Sequence, residues 1–297
     1  MANKNDQLSL FAQADSPPRA SSLLIGSVAV REVRCRDVLN CRATATDYSF
    51  NCYTGCSNGC AYCYARYMQR FHPHDEAWGR FVDVKVNAAE ALARQVRRVA
   101  RGDVFTCSAC DGWQPVERHY ELTRQCCRLL LDAGFSLTVL TKSDLVLRDL
   151  GVFAGRNVCL GVTITCADAA IARLWEPGAS PVPDRVKVLK RAKAAGVQTL
   201  AAFGPLLPGI SDTEDGLRAL FSLAAESNVD RIWTDGLNLR PRVWESVQTL
   251  LSRNRPDLLR HYRRILFDKA ARARYDDELQ QRIERIADEF RVRERMG

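Results

Sequence analysis

The chain has 297 residues, 46% of them hydrophobic and 26% charged, with 12 cysteines and a formal net charge of +8. That length suits one barrel-sized domain with an appendage, and the charge favours acidic partners. No run of 18 apolar residues occurs, and Met1-Ala-Asn-Lys-Asn-Asp6 lacks the apolar core of a secretion signal, so we expect a cytoplasmic protein that makes no use of a membrane.

In chain order, residues 1–22 are polar, with Ser16-Pro-Pro18 and Ser21-Ser22, and are expected to form a disordered tail. From residue 45 short apolar runs alternate with helical patterns, which predicts repeated βα units and a parallel sheet. Strands are expected at Asp47 to Tyr53, Val104 to Cys107, Ser136 to Leu140, Val158 to Ile164, Val197 to Phe203 and Arg231 to Thr234. Between them Glu117 to Ala133, Ser143 to Ala154, Asp184 to Ala195 and Asp212 to Glu226 read as helices, with Gly134 and Gly196 placed to end two of them. If residues 88–101 are helical, Arg94, Arg97, Arg98 and Arg101 make one basic stripe able to face phosphates or simply water. After Pro241 the pattern turns wholly helical, and Leu279, Ile283, Ile286 and Phe290 form a stripe expected to pack on the barrel. The organisation expected is therefore a tail at 1–22, a barrel at 23–240 and a helical extension at 241–297.

Chemistry concentrates in Gly55-Cys-Ser-Asn-Gly-Cys-Ala-Tyr-Cys-Tyr64. Cys56, Cys60 and Cys63 form a C-x3-C-x2-C triplet with no fourth ligand beside it. Three thiolates can hold three irons of a 4Fe-4S cubane and leave the fourth iron open, whereas a closed cluster takes four protein ligands. A structural zinc site wants four ligands in paired spacing, which His72 and His74 do not supply. In a reducing compartment twelve cysteines point to metal or redox work rather than disulfides, and none lies beyond Cys166.

At the triplet, with Tyr62 before the last cysteine, the chain resembles the radical S-adenosylmethionine (SAM) superfamily. The run Asp47-Tyr-Ser-Phe-Asn-Cys-Tyr-Thr-Gly-Cys56 through Cys63-Tyr-Ala-Arg66 resembles its spore photoproduct lyase branch. So do Asp111-Gly-Trp-Gln-Pro-Val-Glu117, Leu122-Thr-Arg124, Thr141-Lys-Ser143, Leu147-Arg-Asp149 and Glu176-Pro177, in that order over residues 35 to 240. The resemblance implies an α/β fold, a partial (β/α)6 TIM-type barrel with a C-terminal helical extension, whose strand-end loops carry the site. It implies a 4Fe-4S cluster on Cys56, Cys60 and Cys63, and SAM as second cofactor, split after one-electron reduction to yield a 5'-deoxyadenosyl radical. Tyr62 would flank the adenine, Lys142 would pair with the SAM carboxylate, Thr163 would meet the ribose, the backbone at Gly204 would approach the adenine, and Asp111 would belong to the cofactor-binding set. Tyr64 matches a tyrosine that relays a hydrogen atom. The lyase's hydrogen-donating cysteine, three residues before the aspartate, is Ser108 here, and Cys107 and Cys110 bracket it as candidate catalytic thiols. Cys110 also stands where relatives place a Ser or Thr near the SAM amino group, and either cysteine could instead join Cys35, Cys41 or Cys52 in a second metal site. Cys126, Cys127, Cys159 and Cys166 read as packing residues.

The function expected is a radical SAM enzyme that repairs or modifies nucleic acid, fed by a flavodoxin or ferredoxin-type electron donor. A small-molecule or peptide substrate is the alternative, and an iron-sulfur sensing or electron-transfer protein is the rival of another class. Gln7-Leu-Ser-Leu-Phe11 resembles the bacterial sliding-clamp-binding motif and adds the clamp as an expected partner.

Overall fold

The computed structural model describes residues 23–41, 46–238 and 242–296. The strands, in chain order, are β1 (Leu23–Ile25), β2 (Val28–Val33), β3 (Leu39–Asn40), β4 (Tyr48–Phe50), β5 (Tyr53–Thr54), β6 (Phe81–Lys85), β7 (Asp103–Thr106), β8 (Ser136–Thr141), β9 (Val158–Thr163), β10 (Gln198–Leu206) and β11 (Arg231–Gly236). Seven of them form one sheet in the order β11-β10-β9-β8-β7-β4-β3. Every neighbouring pair from β4 to β11 is parallel, and β3 is added antiparallel at the edge. Because spatial order follows chain order, each crossover steps the same way. Right-handed crossovers then place the helices on one face and curl the sheet, which gives a partial barrel. Among the described residues β11 does not pair with β3, so the barrel is open along one side.

All six strands expected from the sequence are present, within a few residues of their expected ends. The helices are α1 (Ala88–Gln95), α2 (Glu117–Tyr120), α3 (Leu122–Asp132), α4 (Leu150–Phe153), α5 (Ala169–Trp175), α6 (Val182–Ala194), α7 (Glu214–Glu226), α8 (Val243–Asn254), α9 (Leu259–Phe267) and α10 (Lys269–Glu289). Gly134 and Gly196 follow α3 and α6 with φ of +85° and +71°, the left-handed conformation that ends a helix at little cost for glycine. The expected helix at 117–133 is two helices, because Glu121 turns left-handed at φ +49° and the Glu117 carboxylate accepts from the first free amides of the second one, Thr123 at 3.1 Å and Arg124 at 3.0 Å. The segment from Ser143 to Ala154 is a 3-10 turn at Asp144–Asp149 followed by the single turn α4.

The arginine stripe does not form. Helix α1 ends at Gln95, whose side chain accepts from the Val38 and Leu39 amides at 2.8 and 2.9 Å and so ties the helix end to β3. The chain then tightens, with the Arg98 amide on the Gln95 carbonyl at 2.9 Å, and Arg97, Arg98 and Arg101 leave the helical register. In α10, Leu279, Ile283 and Ile286 are buried in the main core and Phe290 packs against it as expected.

A second sheet, in the order β1-β2-β6-β5, was not anticipated. It takes its last strand from the segment that leads into the cysteine loop, and the chain thus passes from β4 of the large sheet to β5 of the small one over two residues. The cysteine loop leaves from that transfer. Gly55, at φ +85°, is needed there, since a Cβ would lie 2.5 Å from the Phe81 carbonyl oxygen. The tail and Gln7-Leu-Ser-Leu-Phe11 fall outside the described residues.

Candidate functional site

The C-terminal ends of the parallel strands surround a cavity of about 260 Å³. Phe105 and Cys107, Leu140 and Lys142, Ala202 and Gly204, and Trp233 and Asp235 all line it, joined by Thr163. These lie at the C-terminal ends of β7, β8, β10 and β11 and just beyond them, with Thr141 and Phe203 between them also reaching the cavity. Cys56, Cys60, Tyr62, Cys63 and Tyr64 close the cavity from the cysteine loop, and Cys110 and Asp111 from the loop after β7.

The loop is clamped from two sides, by the Asp111-Gly-Trp-Gln-Pro-Val-Glu117 run and by the segment around Glu176-Pro177. From the β7 loop, Gln114 accepts from the Ser57 amide at 2.9 Å and donates to the Gly55 carbonyl at 3.3 Å. From the other side, the Ala61 amide donates to the Trp175 carbonyl at 2.9 Å and the Gly178 amide to the Asn58 carbonyl at 3.0 Å. Gly178 follows Glu176-Pro177 because any side chain there would strike the Ser57 carbonyl oxygen at 2.2 Å. Arg66 donates to the Cys60 carbonyl at 3.0 Å.

The three cysteines are free thiols. Burial pushes the Cys60 thiol up to about 12, with Lys142 opposing, and burial likewise raises Cys56 and Cys63. Buried thiols of this kind ionise when a metal supplies the compensating charge. Among the described residues no group of His, Cys, Asp or Glu is arranged to hold a metal ion. In a cubane each thiolate meets its own iron, so three thiolates hold three corners and leave one open. The donor set and the adjoining cavity therefore fit a 4Fe-4S cluster with one open iron. Of the cysteines considered for a second metal site, Cys41 is exposed and Cys52 is buried with its sulfur 3.6 Å from that of Cys126. Cys126, Cys127, Cys159 and Cys166 are buried, in keeping with packing.

Lys142 enters the cavity with its ammonium 5.7 Å over the Tyr62 ring. Burial would lower its pKa, but Cys60 and Glu176 outweigh that and raise it, so the cation is held charged. The Tyr62 ring stacks on Trp175 at 6.4 Å, and its hydroxyl bonds to Glu176 and, at 3.0 Å, to Thr165. Glu176 Oε2 faces Arg185 Nη1 at 2.5 Å as an ion pair whose angle is not that of a hydrogen bond. Arg185 also donates to the Thr163 carbonyl at 2.9 Å and to the Ser180 carbonyl at 2.7 Å. Thr163 is buried at the cavity wall, and the Gly204 carbonyl accepts from Thr165 at 3.1 Å.

Asp111 is held by four hydrogen bonds. Its Oδ1 accepts from the Trp113 amide at 2.9 Å and the Thr141 hydroxyl at 2.7 Å, its Oδ2 from Asn58 Nδ2 at 3.0 Å and the Lys142 amide at 2.8 Å. All four acceptor positions of the carboxylate are taken by the protein. Asp111 joins the cysteine loop to β8 and sets the backbone of Lys142 while also lining the cavity. Tyr64 donates to the Ser108 carbonyl.

The Radical SAM superfamily model matches residues 50–220, more than half of the chain. The chain belongs to the radical SAM superfamily. The radical SAM cofactors are accordingly a 4Fe-4S cluster and S-adenosylmethionine. Among relatives, an uncharacterized protein of Methanocaldococcus jannaschii is 32% identical over 168 residues, 56% of this chain and 63% of that protein, so less than two thirds of that relative's length is spanned. An uncharacterized protein of Mycobacterium tuberculosis is 29% identical over 252 residues, 80% of this chain and 74% of that one. The radical SAM fold here is also that of spore photoproduct lyase: a double mutant solved with bound S-adenosylmethionine and dinucleoside spore photoproduct superposes with a TM-score of 0.68 at 16% identity, covering 88% of this chain and 78% of the other. No described helix is long and apolar enough to cross a membrane.

Several residues of the site escape sequence reasoning. Arg185 and Thr165 belong to no motif and are found only through Glu176. Trp233 and Asp235 had a usable signal, since they alternate on an expected strand. Asn51 lay inside a recognised run and received no role, yet its Oδ1 accepts from the Ala109 amide at 2.8 Å and so fixes the β7 loop.

Proposed function

We propose that this radical SAM enzyme acts on nucleic acid, repairing or modifying a base. The observation that carries the reading is that Tyr64 beside the cysteine loop and Trp233 of β11 both line the cavity while 46% and 38% exposed. Exposed aromatic faces beside a reaction cavity suit an unstacked base, each stacking contact contributing about 1–3 kcal/mol. The formal charge of +8 and the fold shared with an enzyme solved with a dinucleoside lesion support the same reading.

When bound, the cluster and SAM supply a 5'-deoxyadenosyl radical that removes a hydrogen atom from the substrate. The chain's own part is placement. Cys56, Cys60 and Cys63 hold the cluster, Lys142 meets the SAM carboxylate as a point charge, Tyr62 and the Gly204 backbone flank the adenine, and Thr163 lies toward the ribose. Tyr64 and the thiols of Cys107 and Cys110 are the hydrogen-transfer groups. A flavodoxin or ferredoxin-type protein provides the electron, in the cytoplasm, and the Gln7 to Phe11 segment recruits the sliding clamp.

The test is binding of single-stranded, duplex and ultraviolet-irradiated oligonucleotides, with SAM cleavage followed in parallel. The reading expects salt-sensitive binding and faster 5'-deoxyadenosine release with one of these DNAs. Cleavage that no nucleic acid binds to or stimulates would transfer the site to a small molecule or peptide. A cluster that never cleaves SAM would mean a sensing or electron-transfer protein. Separately, a peptide of residues 6–14 should bind the clamp, and lose binding on Leu10→Ala with Phe11→Ala.

A further inference from the structure

The cysteine loop has a second face. Along it Asn58, Cys60 and Tyr62 line the reaction cavity, while Gly59 and Ala61, the residues between them, line a separate groove of about 800 Å³ on the outside. The loop backbone is the wall between this groove and Cys60, and Gly59 adds no side chain to it. Across the groove lies one face of α8, where Arg242, Glu245, Thr249 and Arg253 recur at helical spacing, whereas Val243, Val247 and Leu251 are buried on the other face. Charge is unequal there: Arg66, Arg242 and Arg253 line the groove against a single carboxylate, Glu245. Among the described residues none of these arginines is in an ion pair. Arg66 gives Nη2 to the Cys60 carbonyl at 3.0 Å and leaves its buried Nε without a partner, and Arg242 donates to Gln69 at 3.5 Å. Leu174, 40% exposed, and Pro177 add an apolar strip beside Gly59.

We infer that this groove is the docking site of the electron carrier, and that the carrier is a small acidic flavoprotein of the flavodoxin type. The inference rests on the radical chemistry proposed above, in which an electron must reach the Cys60 side of the loop while SAM and substrate fill the cavity. It therefore enters from the opposite face. Electron transfer falls off steeply with distance, and the protein is thinnest at Gly59 and Ala61. Carboxylates of the carrier meet Arg242 and Arg253, and the apolar edge of its flavin ring lies along Leu174 and Pro177. An iron-sulfur carrier encloses its own cluster and has no use for that strip. The carrier is oxidised by one electron and the cluster reduced by one, and no bond or proton changes hands on this chain. Encounters of this kind bury little surface, below about 1,200 Å², and are steered by opposite charge. Nucleic acid would be drawn by the same arginines, but its place in the reading above is the reaction cavity, on the other side of the loop.

The test uses full-length protein with its cluster, as wild type, as Arg242→Glu with Arg253→Glu, and as Glu245→Lys. Binding of an oxidised bacterial flavodoxin is measured by calorimetry at low and high salt. In parallel, 5'-deoxyadenosine is followed with reduced flavodoxin and with dithionite, a small inorganic reductant that needs no docking surface. Flavodoxin affinity should fall about tenfold or more in the double variant and rise in Glu245→Lys, both differences shrinking as salt screens the charges. The rise is an outcome that a misfolded variant cannot produce. The double variant should lose cleavage driven by flavodoxin and keep cleavage driven by dithionite. Flavodoxin affinity that neither variant moves, or cleavage that falls equally with dithionite, overturns the docking site. Oligonucleotide binding lost in the double variant with flavodoxin affinity unchanged gives the groove to nucleic acid and overturns it as well, and a ferredoxin that binds where flavodoxin does not overturns the flavin carrier. Wild-type protein that cleaves no SAM even with dithionite sinks the radical reading, while the binding measurement still decides the groove.

Discussion

Glu176 and Glu117 are both wholly buried, one behind Tyr62 of the cavity wall and the other between β5 and the start of α3, yet burial ends differently for them. Burial pushes the Glu117 carboxyl up, and the hydrogen bonds from Tyr53 and the Arg124 and Thr123 amides, with the Arg148 charge, offset only part of this. Burial also opposes ionisation of Glu176, but the charges of Arg185 and Lys142, with hydroxyls from Tyr62 and Thr165, hold it below the ordinary carboxylate range. Two cations close at hand make the difference, since neutral donors return only part of the cost of taking a charge out of water. The cavity side of the barrel is therefore built to keep fixed charges, and the side away from it is built to satisfy a carboxyl with a mixture of partners.

The strongest test of the cavity side is replacement of Cys56, Cys60 and Cys63 together by alanine. Iron binding and SAM cleavage should both vanish, as iron analysis and chromatography of 5'-deoxyadenosine will show; retention of either would remove the cluster from this loop. Next in size is Glu176→Gln, which leaves Arg185 buried without its counter-ion. We expect a loss of about 3–5 kcal/mol in urea unfolding, the usual effect of breaking a buried pair from one side. A loss no larger than that of Glu117→Gln, expected at about 1 kcal/mol, would erase the contrast.

Between these two lies Lys142→Met. Removing a charge-assisted contact worth roughly 1.5–3 kcal/mol should weaken SAM binding about ten- to hundredfold in calorimetry, with the cluster retained. Unchanged affinity would mean that the ammonium serves only Glu176 and Cys60.

The smallest effect expected is in pH dependence, and its sign differs between the two carboxyls. Glu176 has a depressed folded-state pKa, so its contribution is present above the ordinary glutamate value and is lost as pH falls through the folded value. Glu117 has a raised one, so its contribution is complete below the ordinary value and is lost as pH rises through the folded value. Stability differences between wild type and each Gln variant, followed from acid to neutral pH, should slope in opposite directions. Parallel slopes would show that the two sites are electrostatically alike.

What the sequence by itself determined is local or repetitive. The six parallel strands were legible because apolar runs and strand alternation are set by neighbouring residues, and the ends of α3 and α6 because Gly134 and Gly196 take a conformation that other residues avoid. The triplet of Cys56, Cys60 and Cys63 was legible because ligands for one cluster had to lie close along the chain. The tertiary structure alone decided whatever joins distant segments. The small sheet pairs β2 with β6, some fifty residues apart, and neither strand is marked out unless its partner is known. The arginine stripe failed because Gln95 found partners on β3. Asp111 became an organiser because its carboxylate met Asn58, Thr141 and the Lys142 amide from three separate stretches of chain. Glu176, Arg185, Tyr62 and Thr165 converge because a curled parallel sheet brings the ends of all its strands to one place, where each buried charge must find a partner that spacing along the sequence does not specify.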